Sequence, residues 1–129
     1  MTGNGELILV VDDNDLVRHS TRNLLEVLGY NVTEAKTGPM ALQQLESGMP
    51  IALVLSDVVM PGGMTGIDLA AWVRAHRSDL NIVLTSGYHD LDQSEADNPS
   101  LHDIRILRKP YKMEQLEQSV RAALDASLT

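Results

Sequence analysis

Acidic, hydroxyl and lysine side chains directly follow four apolar runs of this sequence. Taken singly, each fits an ordinary structural role, since acids before a helix are common caps and a polar residue after a strand is commonly part of a turn. The residues are Asp12 and Asp13 after LILVV, Ser56 and Asp57 after IALVL, Thr85 and Ser86 after IVL, and Arg108, Lys109 and Pro110 after IRIL.

Taken together, carboxylates, a hydroxyl and an ammonium group can form a site for a phosphoryl group. Clustered carboxylates repel one another strongly unless a cation or a proton intervenes. Oxygen ligands select a hard cation, and a few protein ligands with open positions suit Mg²⁺. A metal and a lysine can neutralise phosphoryl oxygens while one carboxylate attacks phosphorus. The sequence therefore predicts a magnesium-dependent phosphoryl site, provided that the fold brings these residues together.

The elements that must position these residues are five short strands with helices between them. Three of the apolar runs are near-continuous, which is typical of strands buried on both faces of a parallel sheet. The helical patterns show apolar residues at spacings of three and four, with Gly29 as a stop and Thr37 and Thr65 as caps. The predicted strands are Leu7–Val11, Val32–Ala35, Ile51–Leu55, Ile82–Leu84 and Ile104–Leu107.

This alternation predicts an α/β fold, a flavodoxin-like doubly wound (βα)5 unit. Its five-stranded parallel sheet has the order 2-1-3-4-5 and helices on both faces. Ligands of such sheets bind beyond the carboxyl ends of the strands, where the polar residues lie. We expect one domain over residues 1–129 with its core at about 6–124. The segment Tyr88–Asp103 is acidic and contains Pro99, so a helix there is expected to be short or loosely packed.

Composition excludes several classes of function. The formal net charge of −8 argues against direct binding of nucleic acid or of an anionic membrane surface. The absence of cysteine excludes disulfides and thiolate metal sites. No apolar run approaches a membrane span and MTGNGE does not resemble a secretory signal, so we expect a cytoplasmic location. No phosphate-binding glycine motif follows the first strand, which disfavours a dinucleotide or nucleotide enzyme.

Four motifs resemble those of response-regulator receiver domains of two-component signalling. They are VVDDN, SDVVMPG, LTSG and LRKPY, after the first, third, fourth and fifth strands, and the resemblance runs from Glu6 to about Leu124. Receivers attached to hybrid histidine kinases have segments similar to DVVMPGGMTGIDLA, LTSGY and LRKPY of this chain. The resemblance implies a signalling domain that assists its own phosphorylation and dephosphorylation, a partner that is a histidine kinase or a histidine phosphotransfer protein, and a monomer or weak dimer.

The resemblance also implies roles for individual residues. Asp57 is the implied phosphoacceptor. The implied Mg²⁺ ligands are Asp13 directly, Asp12 through water, Asp57, and the backbone carbonyl of Val59.

Two further side chains have implied roles. Lys109 pairs with Asp57 and then with the phosphoryl oxygens, and the Lys109–Pro110 bond is cis. Thr85 hydrogen-bonds the phosphoryl group and moves toward it.

The chain departs from the family pattern at two places. One extra residue stands between Pro61 and Gly66, which predicts a reshaped metal loop. Ile106 stands where an aromatic residue is common, so a rotating ring is not expected. Two readings of Tyr88–Asp103 remain open: a segment that changes conformation in place of the ring, or an ordinary mobile surface loop.

The resemblance also implies that the residues two past Asp57 and two past Thr85 flank the approach of water to phosphorus. Here they are Val59 and Gly87, and neither side chain can hold a water, so we expect a long-lived phosphoryl group.

Two other functions remain open from the residues alone. One is a Mg²⁺-dependent phosphohydrolase with an aspartyl nucleophile, against which Val59 stands where such enzymes tend to place a general acid. The other is a degenerate binding module that is never phosphorylated, against which every expected acid, hydroxyl and lysine is present.

Overall fold

The fold was obtained as a computed structural model that describes residues 3–60, 63–87 and 104–127. Strands and helices alternate along residues 3–87, one further strand and one helix lie in 104–127, and each strand overlaps one of the predicted apolar runs. The prediction of a weak helix and a conformational switch in Tyr88–Asp103 lies outside the described residues. The elements are β1 (Leu7–Val11), α1 (Asp15–Val27), β2 (Asn31–Ala35), α2 (Gly38–Glu46), β3 (Ile51–Asp57), α3 (Gly66–His76), β4 (Asn81–Ser86), β5 (Arg105–Arg108) and α4 (Met113–Ser127).

The five strands form one parallel sheet in the order β2-β1-β3-β4-β5, which confirms the predicted topology. In the register of this sheet, Val11 pairs with Ser56 and Asp57 pairs with Thr85. Ser86 pairs with Arg108 in the same way. The carboxyl ends of the four strands that carry the polar residues therefore meet at one edge of the sheet.

Both faces of the sheet are covered by helices, and this explains the near-continuous apolar runs. Leu9 and Val11 point into a cluster shared with α2 and α3, which we call the α2–α3 layer. Ile8 and Val10 point into a cluster shared with α1 and α4, the α1–α4 layer. Because a strand buried on both faces needs an apolar side chain at every position, alternation is lost. The chain contains no phenylalanine, so aliphatic side chains fill most of both layers.

Helix α1 begins immediately after the first pair of acids. Its N-cap is Asn14, whose side chain accepts a hydrogen bond from the Val17 amide at 3.1 Å. The acids Asp12 and Asp13 therefore precede the cap instead of forming it. The predicted caps Thr37 and Thr65 are confirmed, the latter in a capping box with Asp68.

Helix α3 begins against the end of β3. The Gly66 amide donates to the Val58 carbonyl at 2.8 Å, and a side chain at Gly66 would collide with the carbonyl oxygen of Asp57. Glycine is therefore needed where the first turn of the helix touches the backbone of the candidate phosphoacceptor. None of the helices in the described ranges is long and apolar enough to cross a bilayer.

Candidate functional site

The three predicted acids converge at the carboxyl edge of the sheet. Asp12 and Asp13 lie between β1 and α1, and Asp57 is the last residue of β3. One carboxylate oxygen from each lies within 4.8 Å of the others. Asp12 and Asp57 are only 4% and 7% exposed, whereas Asp13 is exposed. The cluster thus combines two buried charges with one that faces solvent.

Lys109 bridges the two buried acids. Its Nζ atom lies 3.3 Å from Asp12 Oδ2 and 3.2 Å from Asp57 Oδ2. Burial would lower the pKa of this ammonium group, but the charges of Asp57 and Asp12 outweigh that effect and hold the pKa above its ordinary value. The lysine therefore remains charged and offsets part of the repulsion between the carboxylates.

The loop that carries Lys109 is fixed to two neighbouring elements. The Lys109 amide donates to the Ser86 carbonyl at 2.8 Å, and the predicted cis peptide bond between Lys109 and Pro110 is present. Two residues later, the Tyr111 hydroxyl lies 2.6 Å from the Thr21 hydroxyl on α1. The lysine is thus attached to the sheet on one side and, through its loop, to α1 on the other.

The predicted hydroxyl Thr85 lies beside the acids. It is buried at the end of β4, its register partner is Asp57, and its carbonyl accepts from the Val58 amide at 2.9 Å. Ser56, in contrast, uses its hydroxyl to donate to the Asp57 carbonyl at 2.9 Å. Of the hydroxyl residues near this edge, Thr85 is the one that the sheet register places next to Asp57.

The residues present fit a divalent cation by their chemistry. Three carboxylates and one ammonium group leave two net negative charges at the site. The side chain of Asp13 has no hydrogen bond or ion pair to any residue within the described ranges. Hard oxygen ligands next to open space are what Mg²⁺ prefers. An open cavity of about 520 Å³ contains the site and is lined by Asp12, Asp13, Asn14, Val17, Asp57, Val59, Met60 and Lys109.

The exposed Val59 lines this cavity. The predicted reshaping of the loop that follows it depends on Pro61 and Gly62, which lie outside the described residues. Beyond them, Met64 packs against Gly38 at the start of α2, so the far part of the loop contacts a neighbouring helix.

Sequence reasoning missed one charged residue behind the acids. Arg18 is 4% exposed and donates from Nη1 to the Asp12 carbonyl at 2.9 Å. The signal was available, because the buried positions of α1 are Arg18, Thr21 and Leu25, spaced by three and four residues. A charged residue on the buried stripe of a helix needs partners.

Comparison with known proteins agrees with this geometry. The family model described as response regulator receiver domain matches residues 8–121. The chain is 32% identical over 121 residues to the response regulator receiver protein CpdR of Brucella abortus (strain 2308), covering 94% of this chain and 98% of that protein. It is 34% identical over 119 residues to the sensor kinase CckA of the same strain, covering 92% of this chain but only 12% of the kinase.

Other relatives and solved structures give the same picture. The chain is 37% identical to the response regulator MprA of Mycobacterium ulcerans (strain Agy99), over 91% of this chain and 49% of MprA. The crystal structure of a response regulator receiver protein from Sinorhizobium medicae WSM419 superposes with a TM-score of 0.85 at 27% identity, covering 96% of this chain and 98% of that one. A signal receiver domain from Pseudomonas fluorescens Pf-5 gives 0.84 at 29% identity, covering 97% and 98%. Strand order, acidic edge and family match lead to one conclusion: the chain belongs to the response regulator receiver domain family of two-component signalling.

Proposed function

We propose that Asp57 accepts a phosphoryl group from the phosphohistidine of a histidine kinase or a histidine phosphotransfer protein. The observation that carries this proposal is the position of the Asp57 carboxylate. It ends a central strand, lies within ion-pair distance of Lys109, and opens into the acidic cavity. A nucleophile held there can be approached from solvent while its charge is balanced from the opposite side.

In the transfer, an Asp57 oxygen forms a bond to phosphorus while the bond from phosphorus to the imidazole nitrogen breaks. The imidazole nitrogen keeps the electron pair of the broken bond. Lys109 exchanges its contact with the carboxylate for one with the phosphoryl oxygens, and the Thr85 hydroxyl donates a hydrogen bond to another of them. Charge-assisted hydrogen bonds of this kind are about twice as strong as neutral ones.

The metal site of the proposal consists of Asp12, Asp13, Asp57 and the carbonyl of Val59. A Mg²⁺ ion bound there would supply positive charge against the phosphoryl oxygens. Asp13 is the exposed member of the set, and Asp12 is held by Lys109 and by its own turn, where Oδ1 accepts from the Asn14 amide at 2.9 Å. Asp13 is therefore the acid best placed to bind the ion directly.

The proposal includes the setting of the reaction. The partners are a histidine kinase or a histidine phosphotransfer protein, without direct contact to nucleic acid or to a membrane. The domain occupies the whole chain with its core at about residues 6–124, is a monomer or a weak dimer, and works in the cytoplasm. It promotes its own phosphorylation and dephosphorylation and does not turn over a separate substrate.

The test is labelling with a small phosphodonor such as acetyl phosphate in the presence of Mg²⁺, followed by intact mass and peptide mapping. Wild type should gain a single phosphate on the peptide that contains Asp57, and labelling should fail in EDTA. Asp57→Asn should abolish the label because an amide is not a nucleophile here. Asp79→Asn, which removes an exposed acid at the opposite end of β4, is the matched control and should label normally.

Three results would contradict the proposal. Labelling of the same peptide in the Asp57→Asn variant would place the phosphoacceptor elsewhere. Rapid multiple turnover of the donor would favour a phosphohydrolase, and the absence of any adduct would favour a binding module.

A further inference from the structure

Arg18 is a buried cation whose guanidinium group is shared by three elements of the fold. Its side chain is 5% exposed. Nε donates to Glu34 Oε1 on β2 at 3.0 Å, and Nη2 donates to Asp15 Oδ1 in the first turn of α1 at 2.7 Å. Nη1 donates to the Asp12 carbonyl at the end of β1 at 2.9 Å. One rigid, planar group thus joins β1, β2 and α1 immediately behind the acidic cavity.

The contact with the Asp12 carbonyl completes the fixation of that residue. The Asp12 amide donates to the Ala35 carbonyl on β2 at 3.2 Å, and one carboxylate oxygen accepts from the Asn14 amide at 2.9 Å. With Arg18 on the carbonyl, every polar group of Asp12 has a defined partner. The carbonyl of Asp12 belongs to the same peptide unit as the amide of Asp13, so Arg18 also sets the direction in which the chain enters Asp13.

We infer that Arg18 is a positioning residue that holds the Asp12–Asp13 peptide in the orientation that a divalent cation requires. This inference rests on the proposed function, because it assigns Asp12 and Asp13 to the metal. The charge of Arg18 is balanced locally by Glu34 and Asp15. Arg18 therefore affects the acidic cavity by orienting the Asp12–Asp13 peptide and not through its electrostatic field. Partners that orient a ligand from behind typically change metal affinity by 10–100-fold when they are removed.

Arg22 provides a comparison that separates positioning of the Asp12–Asp13 peptide from general stabilisation of the contact between α1 and β2. It lies one turn further along α1 and donates to the other oxygen of Glu34 at 2.6 Å. Its side chain is 42% exposed, and its ion pairs are with Glu34 and Glu26, not with the β1–α1 turn. Both arginines join α1 to β2, but Arg18 alone of the two also holds the carbonyl of Asp12.

The experiment measures the dissociation constant of Mn²⁺ for the whole chain, with free Mn²⁺ counted by electron paramagnetic resonance and Mg²⁺ used as competitor. The variants are Arg18→Lys, which keeps the charge and loses the planar fork, and Arg18→Met, which loses both. Arg22→Met is the control. Circular dichroism at each titration temperature selects conditions in which every variant is folded. If the Arg18 variants do not fold, Glu34→Gln takes their place, because it leaves Arg18 in the chain and removes one of the two carboxylates that orient it.

We expect both Arg18 variants to bind Mn²⁺ about tenfold more weakly than wild type, and Arg22→Met to bind within about twofold of wild type. Glu34→Gln should give an intermediate loss. Wild-type affinity in both Arg18 variants, or in Glu34→Gln where it is the variant used, would overturn the inference. So would wild-type affinity in Arg18→Lys with tighter binding in Arg18→Met, which is the pattern of a field effect. If Arg22→Met weakened Mn²⁺ binding as much as the Arg18 variants do, Arg18 would only stabilise the contact between α1 and β2 and would have no specific role in positioning the metal ligands. Failure of wild type to bind Mn²⁺ would instead refute the metal site of the proposed function.

Discussion

Val59 lies at the mouth of the acidic cavity with 51% of its surface exposed, two residues after the proposed phosphoacceptor. An isopropyl group there offers no hydrogen bond to a water molecule that approaches phosphorus. We therefore predict that Val59→Asn shortens the lifetime of the phosphorylated form several-fold, because an amide can hold and orient that water. The measurement is the decay of the labelled mass after the phosphodonor is removed.

The control for this prediction is Val59→Ala, which removes bulk without adding a polar group. Its phosphorylated form should decay at a rate close to that of wild type. A longer lifetime in Val59→Asn would contradict the role assigned to this position. Faster decay in Val59→Ala than in Val59→Asn would show that steric access, and not water orientation, controls hydrolysis.

Single residues also mark the limit of what the sequence predicts. The acids and Lys109 could be predicted as a group, because the ends of parallel strands meet at one edge whatever the details of packing. The spacing of Arg18 with Thr21 and Leu25 is compatible with a place on the buried stripe of α1, but its three partners could not be predicted, because they come from three elements. Asn14 was missed as the cap of α1 because Asp12 and Asp13 are equally good caps by type.

At the scale of elements, the starts of α2 and α3 form a natural comparison. Each helix begins with a glycine that follows a threonine cap, Thr37–Gly38 and Thr65–Gly66. We predict that Gly66→Ala lowers the free energy of unfolding by about 1–3 kcal/mol, because its Cβ would collide with the backbone of Asp57. Gly38→Ala should cost less, because its Cβ meets only side-chain atoms of Met64: Sδ and Cγ can turn away, and only the Met64 Cβ, at 2.9 Å, must shift with its backbone. Denaturant unfolding of the two variants checks the order, and a larger loss for Gly38→Ala would contradict it.

The connection between α1 and β2 should give the protein part of its acid sensitivity. Burial would raise the pKa of Glu34, but hydrogen bonds from Arg22 and Arg18 outweigh it and hold the pKa below its ordinary value. A carboxylate whose pKa is lowered in the folded state stabilises the fold at pH values above its unfolded-state pKa, which is about 4.3 for Glu. This stabilisation is lost as the pH falls through the folded-state pKa.

We therefore predict that Glu34→Gln lowers the free energy of unfolding at neutral pH by about 1–3 kcal/mol. The difference from wild type should shrink when the pH falls below about 4.3, because wild type then loses the same charge. Unfolding curves at a series of pH values measure this difference. Glu46→Gln, at an exposed position of α2, should track wild type throughout, and a constant difference for Glu34→Gln at all pH values would refute the electrostatic explanation.

Strand positions were predictable to within two residues, whereas strand length was not. The apolar run of β3 ends at Leu55, but the strand continues through Ser56 to Asp57. Hydrogen bonding to β4 extends the strand, since Ser56 and Asp57 pair with Leu84 and Thr85. Polarity alone cannot reveal such an extension, because the partner strand is distant in sequence.

At the scale of the whole molecule, the strand order could be predicted from the alternation of strands and helices and from the right-handedness of their connections. The division of the core residues between the two faces of the sheet could not. The sequence predicts that most strands are buried on both faces, without saying which residue joins which layer. The structure assigns Leu84 to the α2–α3 layer and Val83 to the α1–α4 layer. Ile106, which replaces the common aromatic residue, packs at the margin of the α2–α3 layer.

The two layers carry different ultraviolet chromophores. Trp72, the one tryptophan of the sequence, packs against the α2–α3 layer, whereas Tyr30 is buried in the α1–α4 layer and Tyr111 packs against it. In a Tyr88→Phe background, tryptophan emission therefore monitors one face of the sheet, and the tyrosine bands of the second-derivative absorbance spectrum monitor the other. We predict a common denaturant midpoint for both signals, because the shared strands make the faces one cooperative unit. Separate midpoints would mean that one helical layer can leave the sheet while the other stays. The signal with the lower midpoint would identify the layer that unfolds first.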